Sequence, residues 1–206
     1  AQLRLGAYAD ALRVANEALP GCEVARTRDD LLECAGAAAM FTEDLSAARA
    51  HLREVERLLG DEAPPRRRLR AASYRGILAF RAGDLEEARA AYAAALEIAE
   101  RHAIADQIAR CSQNLGTACH QRGELREAAR AYERGEDVAE ALGQVDLLLV
   151  LSFNLAKLYA DLGALERAES KARAVAARAS AAGAGFFQAA AESVMADCAL
   201  ARGQPS

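Results

Sequence analysis

Apolar residues recur at i, i+3, i+4 and i+7 through stretch after stretch of this chain, the period of helices that each bury one face. No segment of strand length shows convincing alternation. Glycines punctuate the pattern. Gly83–Ala88, Gly123–Ala128 and Gly163–Ala168 spell one hexapeptide, Gly-x-Leu-x-x-Ala, recurring every 40 residues. Glu43–Ala48 keeps the register upstream with Glu for Gly, Gly203 keeps it downstream, and a further copy, Gly6–Ala11, sits 37 residues before Glu43. Each period holds two amphipathic helices with the glycine at the turn; in the clearest period they run from Ala105 to Arg122 and from Glu124 to Leu142. Asp84 followed by Glu87 has the acidic form of a capping box. Breaks fall at Pro20-Gly21 and, in the longest connector, at Pro64-Pro65. The pattern predicts about ten helices, an all-α fold, and turns near Glu43, Gly83, Gly123 and Gly163.

Composition sharpens this. Alanine makes up roughly a quarter of the chain, Trp is absent and aromatics are only 5%, so the interior must be filled by small side chains on closely spaced backbones. Gly76, Gly116 and Ala156 on the first helices, with Ala88, Ala128 and Ala168 on the second, supply that close approach, and Tyr92 and Tyr132 are expected to fill the gap to the next repeat. One such pair cannot bury its apolar face alone, so neighbours must stack.

The residues at these positions resemble the tetratricopeptide repeat, in the longer form of about 40 residues seen in kinesin light chain and in the regulatory arrays of bacterial signalling ATPases and transcription activators. Asn114-Leu115-Gly116, Cys119, Gly123, Ala128 and Tyr132 carry the likeness, as do Tyr74-Arg75-Gly76, Gly83, Ala88, Tyr92 and Ala95. Asn154-Leu155-Ala156, Tyr159, Gly163 and Ala168 follow it with Ala for Gly and Ala172 where an aromatic is common, and the early aromatic of each first helix is replaced by Ala72, Ser112 and Ser152. The resemblance implies a right-handed α-solenoid of antiparallel helix pairs, one array over 1–206. Its repeats are expected at about 23–60, 66–102, 105–142 and 145–182, with partial ones at 1–20 and 185–206. It further implies a concave groove lined by the first helices.

Candidate chemistry is sparse. With 26 Lys plus Arg against 30 Asp plus Glu, there is no basic excess to drive nucleic-acid binding. No apolar run reaches the length of a membrane span, and the N-terminus has neither an initiator Met nor a signal-peptide core, so a cytoplasmic piece of a longer protein is expected. His51, His102 and His120 fall in different repeats without metal-ligand spacing, and Cys22, Cys34, Cys111, Cys119 and Cys198 read as buried thiols. The glycine-rich Ala182–Phe186 lacks a phosphate-binding Lys and reads as a helix connector. No cofactor, no metal and no catalytic grouping is expected. Lysine occurs only at positions 157 and 171, an arginine bias typical of GC-rich bacterial genomes.

What remains is binding. Carried over by register, the groove positions of the family fall on Arg70 and Arg81, then Arg110, Gln113, Asn114, Thr117 and His120, then Phe153, Asn154, Lys157 and Asp161. Asn114 and Asn154 would form a ladder of amides able to hold the backbone of an extended peptide. Arg70, Arg81, Arg110 and Lys157 would make the middle of the groove basic, suiting an acidic peptide or protein segment. The leading expectation is a protein-interaction module of a bacterial regulatory or signalling protein. The alternatives are a small-molecule effector-sensing array and a self-association scaffold that forms a homodimer through terminal helices.

Overall fold

The computed structural model describes residues 44–60 and 62–203, and the expectations at Gly6, Pro20-Gly21, Cys22, Cys34 and the Glu43 turn lie outside the described residues. The chain divides into two compact units, Ala1–Ile104 and Ala105–Ser206. The described part of the first unit holds α1 (Leu45–Leu59), α2 (Pro65–Arg81) and α3 (Leu85–Arg101). The second holds α4 (Ala105–Gln121), α5 (Leu125–Ala141), α6 (Val145–Asp161), α7 (Leu165–Ala182) and α8 (Gly185–Ala201). Among the described residues there is no strand, and the turns at Gly83, Gly123 and Gly163 stand where the repeat places them.

From the end of α2 onward the helices stop and start by one device. A left-handed residue recurs every 20 positions, at 83, 103, 123, 143, 163, 183 and 203, and it is glycine everywhere except Ala103, with φ 50°. After α2, Gly83 N–H donates to Phe80 O and Asp84 N–H to Ala79 O, the two bonds of a Schellman turn; Cys119, His120, Gly123 and Glu124 repeat them after α4. After Gly83, Gly123, Gly143, Gly163 and Gly183 the next residue is the N-cap of the following helix. Asp84 caps α3 by accepting from the Glu87 N–H at 3.1 Å, as the sequence predicts, and Asp44 caps α1 in the same way. Pro65 opens α2 at its first position, where the missing N–H costs nothing.

Packing within the second unit is antiparallel. Gly116 of α4 faces Tyr132 of α5, while Ser112 faces Gly135, so numbers rise on one helix as they fall on the other. A Cβ built on Gly116 would lie 2.5 Å from the Tyr132 ring, and one on Gly76 would lie as close to Tyr92. The tyrosines therefore seat their rings on the glycine of their own repeat, and Tyr132 also stands beside residues of the next, as the sequence reading has it. Gly135 is held as tightly: its Cβ would approach Leu151 of α6 to 2.9 Å and Ser112 to 3.1 Å. That closeness explains why Ser112, wholly buried, replaces the early aromatic. Cys111, Cys119 and Cys198 are buried thiols. The core runs on through Leu149, Leu151, Leu155 and Leu158 of α6, each at most 1% exposed and each contributing roughly 1.5–3 kcal/mol of apolar burial.

Candidate functional site

Among the first helices of the second unit, α6 neighbours both α4 and α8. Positions 113, 117 and 120 on α4 and 150, 154, 157 and 161 on α6 follow helical spacing, so each set forms one stripe. The stripes meet across a cleft of about 670 Å³ lined by Gln113, Thr117, His120, Gln121, Val150, Asn154, Lys157 and Asp161, with Tyr132 of α5 behind them.

Hydrogen bonds sort these groups into occupied and available. Thr117 Oγ1 donates to Gln113 O at 3.0 Å and accepts from Gln113 Nε2 and from the Tyr132 hydroxyl, both at 3.2 Å. Its hydroxyl is therefore saturated. Burial, the largest cause, pushes the Tyr132 phenol up to about 12. His120 Nε2 and Asp161 Oδ2 pair at 2.7 Å and tie the end of α4 to the end of α6. Among the described residues no side chain hydrogen-bonds the Asn154 amide or Gln113 Oε1, and no carboxylate pairs with Lys157, whose ammonium stands 6.0 Å from the Phe153 ring centroid.

A second cleft of about 650 Å³ adjoins this one, lined by Arg110 and Gln113 of α4, the connector residues Gly143 and Gln144, and Val145, Asp146, Leu147 and Val150 of α6. Of the residues expected at a peptide groove, the structure thus gathers Gln113, Thr117, Asn154 and Lys157 in one cleft, with Arg110 beside Gln113 in the next. Asn114 is half-buried on α4 and lines neither cleft. Phe153 turns towards α8, edge-on to Phe187 with centroids 6.2 Å apart, and Phe187 meets Phe186 in the same way. Arg70, half-buried, and Arg81, exposed, belong to α2 in the first unit. Sequence reasoning did not single out Tyr132 as a cleft residue, nor Gln144 and Asp146. The first reads as core filler, and the other two lie at a helix start rather than on the groove stripe. Among the described residues, no three or more His, Cys, Asp or Glu side chains gather as a metal site would need, and no helix is long and apolar enough to cross a membrane.

Residues 67–141 match the family model of the tetratricopeptide repeat. Among solved structures, the chain is similar to aspartyl phosphate phosphatase F from Bacillus subtilis, with a TM-score of 0.78 at 15% identity over 87% of this chain and 47% of that one. It is similar also to a signal transduction ATPase with numerous domains, bearing a tetratricopeptide repeat sensor, from Pyrococcus horikoshii, with a TM-score of 0.83 at 16% identity over 97% of this chain and 31% of that one. BtubC from P. vanneervenii aligns over 100% of this chain and 93% of its own, with a TM-score of 0.73 at 17% identity. This chain spans less than half the length of the first two. Likeness at such identity shows the fold, an all-α solenoid of antiparallel helix pairs. No curated protein matches the chain.

Proposed function

We propose that this chain, which carries a tetratricopeptide-repeat array, is a protein-interaction module of a larger bacterial regulatory or signalling protein, and that it holds an extended peptide or a segment of a partner domain along the α4–α6 face. One observation carries the reading: Asn154, Lys157 and the Gln113 side-chain Oε1 line one cleft with their polar ends uncommitted, while the groups around them are tied into the scaffold. An amide offers one donor and one acceptor side to a peptide backbone, and an ammonium beside it selects carboxylate. The role is binding, not catalysis. Thr117, the hydroxyl nearest His120 in sequence, gives its proton to a main-chain carbonyl and so is not a nucleophile waiting on a base.

Selection from a random peptide display library tests this. Enriched peptides should carry acidic residues, and Asn154→Ala and Lys157→Glu should each weaken an enriched peptide by about fivefold or more. No enrichment, or binding indifferent to Lys157→Glu, would overturn it. A second reading, self-association, rests on α8, where Phe186 and Leu200 are 76% and 59% exposed and, 14 residues apart, share one face. Sedimentation across a concentration series separates the two, since Phe186→Ser would abolish self-association and leave peptide binding intact.

A further inference from the structure

The cleft at the start of α6 has a chemistry of its own. Arg110 and Asp146 both line it, yet they form no ion pair with each other or with any other described side chain. A cation and an anion sharing one cleft without pairing leave room for a ligand that takes each separately. Gln144 adds a third group. It is the N-cap of α6 but makes no side-chain cap, and its Oε1 is buried without a hydrogen-bond partner. A buried, unbonded acceptor is an unfavourable resting state, and rotation about the last side-chain bond relieves it once a donor occupies the cleft that Gln144 lines. Between the charged groups the wall is apolar, made by Val145, Leu147 and Val150.

We infer that this cleft binds a small zwitterion with an apolar body, its carboxylate on the Arg110 guanidinium and its ammonium between Asp146 and Gln144 Oε1. The guanidinium fork suits a carboxylate, and the three donors of an ammonium suit a carboxylate plus an amide oxygen. A bare anion would meet Asp146 and a bare cation would meet Arg110, so both are disfavoured. Two sources share this chemistry, a free apolar amino acid and a short peptide with free termini. The site goes beyond the partner face, because it depends on Asp146 and Gln144 and not on Asn154 or Lys157.

Amide NMR titration with L-leucine, N-acetyl-L-leucine, L-leucinamide and alanyl-leucyl-alanine tests it. Leucine or the tripeptide should shift the amides of Val145, Leu147 and Val150, and removing either charge from leucine should weaken binding at least about tenfold. The tighter of the two zwitterions names the source. Arg110→Gln and Asp146→Asn should each lose at least about tenfold, whereas Arg178→Ala, exposed on α7 and outside the cleft, should leave the titration unchanged. Gln144→Leu should raise the melting temperature of the unliganded protein while weakening leucine. Capped leucines that bind as well as leucine, shifts confined to other residues, or no shifts up to about 10 mM would each overturn the inference.

Discussion

The two complete helix pairs of the second unit, α4–α5 and α6–α7, solve one packing problem with opposite distributions of volume. In the first pair the small side chains are on the first helix, where Ala109, Cys111, Ala118 and Cys119 are buried, and the large one, Tyr132, is on the second. Forty residues on, the same first-helix positions hold Leu149, Leu151, Leu158 and Tyr159, all buried, and the tyrosine position has become Ala172. Gly116 becomes Ala156 in step, and the position whose ring seats on Gly116 is here Ala172, which has no ring. The departures from the repeat pattern at Ala156 and Ala172 are therefore one change, not two. What the pattern conserves is the filled volume between two helices, and a glycine is demanded only where a ring occupies the place of its Cβ.

Breaking the ring–glycine pair tests this with the largest effect. Tyr132→Ala, which empties a site 1% exposed, should cost about 3–5 kcal/mol. Gly116→Ala alone should cost about 1–3 kcal/mol, since a Cβ 2.5 Å from ring carbons forces a wholly buried ring to shift. Made together, they should cost less than their sum, because the added methyl enters the space the ring has left. Chemical denaturation of the four proteins measures the cycle, and strict additivity would show that the two positions are not coupled.

Charge separates the pairs as well. Across α5 and α7 run three ion pairs, Glu133–Arg167 at 3.6 Å, Glu136–Lys171 at 2.8 Å and Glu140–Arg178 at 3.3 Å. Forty residues earlier the corresponding positions read Ala93, Leu96 and Glu100, and Glu127, Ala131 and Val138, so this ladder is particular to its place. Its rungs are unequal. The Glu136 carboxylate is mostly sheltered and also accepts from Ser152 Oγ, whereas Arg178 and Glu140 are largely in solvent. Lys171→Met should therefore cost about 1–3 kcal/mol by stranding a sheltered carboxylate, and Arg178→Ala no more than about 0.5 kcal/mol. Melting temperatures of the two variants at equal salt check the ranking, and equal losses would mean that burial does not set the worth of these rungs.

Much of this was legible beforehand, for a physical reason. A 40-residue period with glycine at the turn marks both helix boundaries, so α4 and α5 end within one residue of their expected limits. The same register put Gln113, Thr117, Asn154 and Lys157 on stripes that do meet in one cleft. Bond partners were not legible. Thr117 is saturated by a tyrosine 15 residues away, and Phe153 turns to Phe187 on a later helix, facts that depend on rotamers rather than on spacing. The ladder pairs residues 34 to 38 apart, a separation that drifts because α5 and α7 meet side by side and no helical period links them. Ala103 was hidden too, since alanine at a left-handed position leaves no mark in the sequence.

The smallest effect sharpens the comparison through pH. Tyr132→Phe keeps the ring on Gly116 and removes only the hydroxyl that donates to Thr117, so near neutrality it should cost about 1 kcal/mol. Burial, the largest cause, raises the Tyr132 phenol from its ordinary value of 10.0 to about 12 in the folded protein. The folded state thus holds this proton more tightly than the unfolded chain does. The contribution of the neutral phenol is fully present below pH 10 and is lost as pH rises towards about 12, reaching about 1.4 kcal/mol of loss at pH 11. Phenylalanine has no such loss. The deficit of the variant should therefore shrink from about 1 kcal/mol at pH 8 to nothing, or reverse, by about pH 11. Urea denaturation at the two pH values measures it. The α6–α7 pair has no tyrosine on its second helix, and its buried phenol, Tyr159, donates to Glu133 Oε1 at 2.7 Å and is likewise raised to about 12. In this pair the aromatic has moved to the first helix and its titration with it, so Tyr159→Phe should show the same alkaline convergence while Ala172 contributes none. A Tyr132→Phe deficit constant between the two pH values would mean that the hydroxyl meets water, and that the ring–glycine seat is looser than its geometry.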